Sequence, residues 1–155
     1  MTLSDEEIAE IRHEMGLYEN PQAASIEALK VVQQHRGWVS DEALAAAAEV
    51  VGVSVAAMES VATFYNLIFR RPVGRHVIMV CDSVSCYLCG YDGVKAHLTE
   101  SLGIDYGETT PDERFTLLPI CCLGDCDNAP SMRVGEDYHG RLTSERIDEV
   151  LARYE

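Results

Sequence analysis

Hydrophobic positions in the first part of the chain recur at helical spacing and predict about four short helices between residues 4 and 66. Side chains that cap helix N-termini precede these runs, at Ser4, Asn20, Ser40 and Ser54. Glu7 stands three positions after the first of them and completes the pattern of a capping box. Gly37 and Gly52 follow two of the apolar runs and predict where those helices end. The pattern therefore indicates a helical bundle.

Three aromatic residues of this region, Trp38, Phe64 and Tyr65, are interpreted as core or packing side chains. None of the residues before position 75 forms a pattern typical of catalysis. We therefore expect the helical region to be structural.

The pattern changes at Arg75, where continuous apolar runs replace the helical period. The predicted order is strand, helix, strand, hairpin and helix, at residues 76–80, 93–102, 115–120, 132–142 and 144–151. Thr143 is the expected cap of the last helix. Such an order is typical of a small α/β layer with a mixed sheet. The predicted fold class is α+β, with a helical bundle over residues 1–74 and an α/β domain over residues 75–155.

Charge narrows the possible functions. The 155 residues include 12 basic and 26 acidic side chains, a formal net charge of −14. This excludes a nucleic-acid-binding protein, which needs clustered Lys and Arg to neutralise phosphates. No signal peptide and no run of about 20 apolar residues is visible, so we expect a cytoplasmic protein without direct membrane insertion. Thiols stay reduced there, and clustered cysteines then indicate metal or redox ligands before they indicate disulfides.

Four of the 6 cysteines form two pairs, Cys81 with Cys86 and Cys122 with Cys126. Each pair begins directly after a predicted strand, and side chains that leave neighbouring strand ends converge at one edge of a sheet. Four thiolates serve a [2Fe–2S] cluster. Gly124, between the second pair, lets backbone N–H groups approach sulfur and tune the reduction potential.

Three other interpretations of the cysteines stay open at this point. A structural zinc site also takes four thiolates, and the C-x4-C and C-x3-C spacings lie at the edge of its usual range. Cys86 and Cys89 form a C-x-x-C, the spacing of thiol–disulfide exchange, in a predicted loop before a helix. Cys81, Cys86 and Cys89 also satisfy the C-x4-C-x2-C of plant-type ferredoxins, with Cys121 or Cys122 as a distant fourth ligand. Histidine ligands at His76, His97 or His139 lack the paired spacing of a Rieske centre.

The chain resembles the small [2Fe–2S] subunit of bacterial NADH:quinone oxidoreductase (respiratory complex I), a thioredoxin-like ferredoxin family, along nearly its whole length. The matching stretches are residues 24–30 (ASIEALK), 37–39 (GWV), 61–65 (VATFY), 72–78 (PVGRHVI), 81–86 (CDSVSC) and 117–126 (LLPICCLGDC). The two cysteine stretches are the most specific of these matches.

The resemblance implies an N-terminal helical bundle followed by a thioredoxin-like domain that carries one cluster. The cluster ligands it implies, as both metal-binding and cofactor-binding residues, are Cys81, Cys86, Cys122 and Cys126. It gives Cys121 no ligand role, and Cys89 is a departure from its pattern. The stretch before the hairpin is similar to the cis-proline site of thioredoxin folds, so we expect a cis bond at Ala129–Pro130.

The resemblance also implies a function: single-electron exchange between the cluster and FMN, within the proton-translocating NADH dehydrogenase of a respiratory chain. FMN and NADH are expected on a partner flavin subunit, and a large iron–sulfur subunit of the peripheral arm is the second expected partner. The arm would lie on the cytoplasmic side of an inner membrane. No catalytic residue is expected on this chain. The alternatives are the equivalent subunit of an NAD-dependent formate dehydrogenase or hydrogenase, and a structural zinc module.

Overall fold

A computed structural model describes residues 3–155, so Met1 and Thr2 of the predicted bundle lie outside it. The chain divides into two compact units, the first ending at Pro72 and the second spanning Val73–Glu155. We call them the helical unit and the α/β unit.

Helices make up the helical unit between Asp5 and Phe64. They are α1 (Asp5–Met15), a 3-10 turn (Pro21–Ala24), α2 (Ser25–Arg36), α3 (Asp41–Val51) and α4 (Val55–Phe64). The predicted capping residues act as caps: Ser4, Asn20, Ser40 and Ser54 each accept a hydrogen bond from a backbone N–H of the following turn. Gly37 and Gly52 adopt the left-handed conformation at the ends of α2 and α3. Local sequence signals therefore define the starts of α1, α3 and α4 and the ends of α2 and α3.

The core of the helical unit is aliphatic, and beside it the buried Glu7 forms an ion pair with the partly exposed Arg36. Ile11, Leu29, Leu44 and Met58 are among its fully buried side chains. The Glu7 carboxylate is 2% exposed, accepts two hydrogen bonds from the Arg36 guanidinium at 2.5 and 2.7 Å, and also closes the capping box of α1. The Arg36 hydrogen bonds hold the pKa of Glu7 well below its usual range, at about 2.

Two of the three aromatic residues of this unit pack outside the core, so the core alternative of the prediction is wrong for them. Phe64 is 79% exposed and Tyr65 is 44% exposed, and their rings make an edge-on contact with each other. They lie where α4 ends, and Met58 and Ala62 already supply the buried face of that helix. Trp38 is half-buried.

The α/β unit contains a mixed sheet with the strand order β2-β1-β3-β4. Its elements are β1 (His76–Cys81), α5 (Val84–Leu88), α6 (Tyr91–Leu102), β2 (Phe115–Ile120), a 3-10 turn (Cys126–Asn128), β3 (Met132–Val134), β4 (Asp137–His139) and α7 (Ser144–Leu151). β1 pairs in parallel with β2 and antiparallel with β3, which forms a hairpin with β4. Within residues 3–155 this confirms the α+β class and the mixed sheet.

Three details of the α/β unit differ from the prediction. The segment between Cys81 and Cys89 was expected to be a loop, but it contains the short helix α5, which places Cys86 on a helix. α6 begins at Tyr91, two residues before the predicted start. β4 ends at His139 because Gly140 and Arg141 turn away to contact the segment before β3.

The buried side of the α/β unit is formed by β1, β2 and β3 together with the apolar faces of α6 and α7. Ile78, Leu117 and Met132 are fully buried, and Leu98 and Ile147 pack in the same cluster. Thr143 caps α7 as expected, with its hydroxyl accepting a hydrogen bond from the Arg146 N–H. The cysteines are not part of this cluster and lie at and after the ends of β1 and β2.

Among residues 3–155 no single helix has the length and apolarity needed to cross a membrane. Only α3 and α4 taken together meet that criterion by length and composition, and they are bent by 115° relative to each other.

Candidate metal centre

Both cysteine pairs begin at the same edge of the sheet. Cys81 is the last residue of β1 and lies opposite Ile120, the last residue of the parallel strand β2. The Asp82 N–H donates to the Ile120 carbonyl at 3.1 Å and ties the two strand ends together. Cys122 follows two residues after Ile120. The two strand ends therefore lie side by side, and the meeting of the four thiols at one centre stays a prediction.

The first pair is enclosed by protein. Cys81 is 3% exposed and Cys86, on α5, is 1% exposed. The two thiols are close enough for the Cys81 side chain to affect the Cys86 thiol. Burial is the main cause that raises the pKa of Cys86, while hydrogen bonds from Ser131 act to lower it. The packing of the protein thus shields both of these sulfur atoms from water.

The second pair is exposed and is held by a short turn. Cys122 and Cys126 are both exposed. The Gly124 N–H donates to the Cys122 sulfur at 3.3 Å, which confirms the expected backbone contact. Cys126 begins a 3-10 turn in which Asn128 bonds to Asp125 twice, through its backbone N–H at 3.1 Å and its side-chain amide at 2.7 Å. This turn sets the position of Cys126.

The segment after β4 supports that turn from the other side. The Arg141 N–H donates to the Asn128 carbonyl at 2.5 Å. A Cβ atom at Gly140 would lie 2.4 Å from the Asn128 Cβ and 3.1 Å from an Asp125 carboxylate oxygen. Only glycine allows the backbone to approach the turn this closely. Sequence patterns offered no indication of this contact, because it joins residues that lie in different elements.

The bond between Ala129 and Pro130 is cis, which confirms the expectation for this position. Ser131 follows it directly, and its hydroxyl lies 3.7 Å from the Cys86 sulfur. Ser131 is 1% exposed. No sequence motif pointed to this serine.

The remaining cysteines and the histidines occupy other positions. All 6 cysteines are free thiols, and Cys89 and Cys121 are exposed. In the C-x-x-C of Cys86 and Cys89, one thiol is buried and the other is exposed at the end of α5. The histidine rings bond elsewhere: His76 to the Glu155 carbonyl, His97 to the Asp148 carboxylate and His139 to the Tyr154 hydroxyl.

The free thiols of this region are the kind of ligand that an iron–sulfur cluster takes. Within residues 3–155 no three His, Cys, Asp or Glu side chains gather around one point as ligands of a single ion. A [2Fe–2S] cluster takes two thiolates on each iron, and the chain offers two pairs of free thiols on neighbouring strand-end loops. One sulfur of each pair also has a hydrogen-bond donor beside it.

A mixed sheet with a cis-proline before β3 and thiol pairs after two parallel strands defines a class of small α/β proteins that hold a metal centre on cysteine loops. The chain belongs to the thioredoxin-like [2Fe–2S] ferredoxin family, whose sequence profile matches residues 11–155.

Curated relatives extend this result over almost the whole chain. A relative from Escherichia coli, named as an NADH-quinone oxidoreductase subunit, is 57% identical over 152 residues, covering 98% of this chain and 92% of that protein. The protein of the same name from Pseudomonas aeruginosa is 52% identical with the same coverage.

A solved structure shares the fold. Part of an NAD+-reducing [NiFe]-hydrogenase, in its air-oxidised crystal structure, superimposes with a TM-score of 0.69 and 26% identity over 81% of this chain. The match spans only 22% of that hydrogenase chain. Together with the family, these findings show an electron-transfer protein whose cofactor is one [2Fe–2S] cluster.

Proposed function

We propose that this chain is the [2Fe–2S] subunit of a proton-translocating NADH:quinone oxidoreductase and exchanges single electrons with FMN on a partner flavin subunit. The observation that carries the proposal is the pair of cysteine loops at the ends of β1 and β2. Support also comes from relatives that are named as part of such an oxidoreductase and match 98% of the chain.

The proposed ligands are Cys81, Cys86, Cys122 and Cys126. The assignment of Cys81 and Cys86 is supported by their burial as free thiols, and that of Cys122 by its hydrogen bond from the Gly124 N–H. Cys126 is the first residue of a turn that Asp125 and Asn128 stabilise. Cys89 and Cys121 lie outside the proposed set.

The bound cluster supplies one-electron redox chemistry, which no side chain of this protein provides. The chain itself holds the sulfur atoms, excludes water from the first pair and provides donors to two sulfurs. A net charge of −14 disfavours the addition of an electron to a cluster that is already a formal dianion. We therefore propose a midpoint potential below zero, in the lower part of the range of roughly −700 to +450 mV.

The proposed partners are the flavin subunit, which binds FMN and NADH, and the large iron–sulfur subunit of the peripheral arm. Electron exchange requires the flavin subunit to approach the cysteine loops. α5 holds the proposed ligand Cys86 and also carries exposed apolar side chains, with Val84 68%, Tyr87 58% and Leu88 78% exposed. These side chains support a docking role for this helix. The proposed location is the cytoplasmic side of an inner membrane.

The test is made in the assembled complex, with NADH as the electron donor. Rapid freezing after mixing with NADH should give an EPR signal of the reduced cluster, and Cys81→Ser should remove that signal while flavin reduction persists. Cys89→Ser is the matched control and should keep the signal. A native complex whose flavin is reduced by NADH, but whose cluster never exchanges an electron with it, would refute the proposal.

A second candidate is the equivalent subunit of an NAD+-reducing hydrogenase, because the superposition with part of that enzyme favours it. The two candidates differ in the partner. Affinity purification of the native assembly should retain NADH-dependent quinone reduction under the first proposal and hydrogen-dependent NAD+ reduction under the second.

A further inference from the structure

Ser131 is held in a defined position beside the first cysteine pair. It lies between the cis Pro130 and the start of β3. Its carbonyl accepts a hydrogen bond from the Cys81 N–H at 3.2 Å, so its backbone is tied to the last residue of β1. The residue is 1% exposed, and water does not compete for its hydroxyl.

The Ser131 hydroxyl is directed at a sulfur atom. Its oxygen lies 3.7 Å from the Cys86 sulfur, within the longer distance at which sulfur accepts hydrogen bonds. A buried hydroxyl needs a hydrogen-bond partner. Among residues 3–155, that sulfur is the partner the structure gives to the Ser131 side chain.

The burial of Cys86 makes the contact with Ser131 important for negative charge on the Cys86 sulfur. The Cys86 sulfur is 1% exposed, so water does not solvate a negative charge that develops there. The Ser131 hydroxyl lies within hydrogen-bonding distance of that sulfur and is itself buried. Ser131 can therefore replace part of the hydration that the Cys86 sulfur lacks.

We propose that Ser131 is a positioning residue for electron transfer, whose hydroxyl donates a hydrogen bond to the Cys86 thiolate and thereby raises the reduction potential of the cluster. The proposal rests on the proposed role of Cys86 as a ligand. It adds a residue outside the cysteine pattern to the set that determines how readily this chain accepts an electron.

The direction of the effect follows from charge. Reduction places additional negative charge on the cluster and its ligand sulfurs, so a donor to sulfur stabilises the reduced form more than the oxidised form. Only part of the strength of such a hydrogen bond differs between the two redox forms, because the ligand sulfur carries negative charge in both. Loss of the hydroxyl should therefore lower the ratio of reduced to oxidised protein at a fixed potential by roughly threefold to tenfold.

The experiment is an EPR-monitored redox titration of the full chain after anaerobic purification, for native protein, Ser131→Ala and the control Ser85→Ala. Ser85→Ala removes a hydroxyl one residue from Cys86 that is not among the donors to sulfur within residues 3–155. Iron and sulfide are measured on the same samples. We expect full cluster content in all three proteins and a lower midpoint potential in Ser131→Ala alone.

Each outcome has a separate meaning. A native protein without a [2Fe–2S] cluster would refute the proposed function, whereas an intact cluster with an unchanged potential in Ser131→Ala would overturn the role of Ser131. If Ser131→Ala loses its cluster, Ser131→Thr decides, because threonine keeps the hydroxyl. A loaded Ser131→Thr protein with a potential close to native supports the hydrogen bond, and loss of the cluster in both variants assigns Ser131 to packing and overturns the proposal.

Discussion

The helical unit and the α/β unit use buried polar groups in different ways. In the helical unit, the buried Glu7 is bonded to Arg36 and to the cap of α1, so all of its contacts serve the fold. In the α/β unit, Cys81 and Cys86 are buried without a disulfide, next to a serine that bonds to sulfur. Buried polar groups therefore stabilise the structure in one unit, whereas in the other they include two thiols that we propose as cluster ligands.

The largest expected effect is the loss of the cluster on substitution in the α/β unit alone. Cys86→Ala removes one proposed ligand from the enclosed pair, and the cluster content of purified protein should fall to background. The chain has 1 Trp, Trp38, which lies in the helical unit, so its fluorescence reports that unit separately. The unfolding curve of the helical unit, followed by Trp38 fluorescence, should change little in Cys86→Ala. Cys89→Ser is the control and should load normally; a cluster that survives Cys86→Ala would remove Cys86 from the ligand set.

The second effect tests the helical unit. Glu7→Gln removes the carboxylate that accepts two hydrogen bonds from the Arg36 guanidinium, which is 22% exposed, and loss of a hydrogen bond between charged groups costs about 1.5–3 kcal/mol. Urea unfolding followed by Trp38 fluorescence should show this destabilisation, while cluster content stays at the native level. Unchanged stability would mean that the ion pair is structurally dispensable.

Acid should reproduce this loss in the native protein. The pKa of Glu7 is about 2 in the folded state, below its ordinary value of 4.5, so the carboxylate stabilises the folded form above pH 4.5. This contribution is lost progressively as the pH falls from 4.5 towards 2. The difference in unfolding free energy between native protein and Glu7→Gln should shrink over that interval. A difference that stays constant down to pH 2 would contradict the low pKa.

A third effect is a smaller loss of stability. It tests whether the segment at Gly140 supports the turn that holds Cys126. Gly140→Ala places a methyl group against Asn128, and overpacking of this kind costs about 1–3 kcal/mol. Because Asn128 belongs to the turn that begins at Cys126, cluster content should also fall. Gly93→Ala is the matched control, since a Cβ atom at Gly93 meets nothing within 4 Å. Equal behaviour of the two variants, measured by thermal unfolding and iron content, would exclude the proposed support.

These results also show which parts of the molecule can be predicted from sequence. Helix caps, left-handed glycines and apolar runs act locally, so the helices of the first unit and the strands β1 and β2 were predicted closely. The cysteine pairs were found because each follows a strand directly in the chain.

What sequence reasoning missed depends on contacts between distant residues. Ser131 meets Cys86 across 45 positions, and Gly140 meets Asn128 only after the hairpin has formed. α5 was missed because its five residues are too few to show a helical period. Phe64 was given a core or packing role on residue type alone, although the buried face of α4 is complete without it.

The smallest expected effect is a difference in alkylation rate between the two cysteine pairs. It is measured in protein from which the cluster has been removed. Cys122 and Cys126 are exposed, whereas Cys81 and Cys86 are at most 3% exposed. An alkylating reagent should modify the exposed pair at least about tenfold faster, because reaction at a buried thiol requires local opening. Mass spectrometry of timed digests gives the rates, and equal rates would show that the first pair is not preformed.

The central claim is that four cysteines of the α/β unit hold one binuclear iron–sulfur centre. Iron and acid-labile sulfide analysis of anaerobically purified full chain, with EPR after dithionite reduction, tests it most directly. We predict about two iron and two sulfide per chain with a signal that appears only on reduction. One zinc ion per chain, no sulfide and no signal under any redox condition would contradict the account.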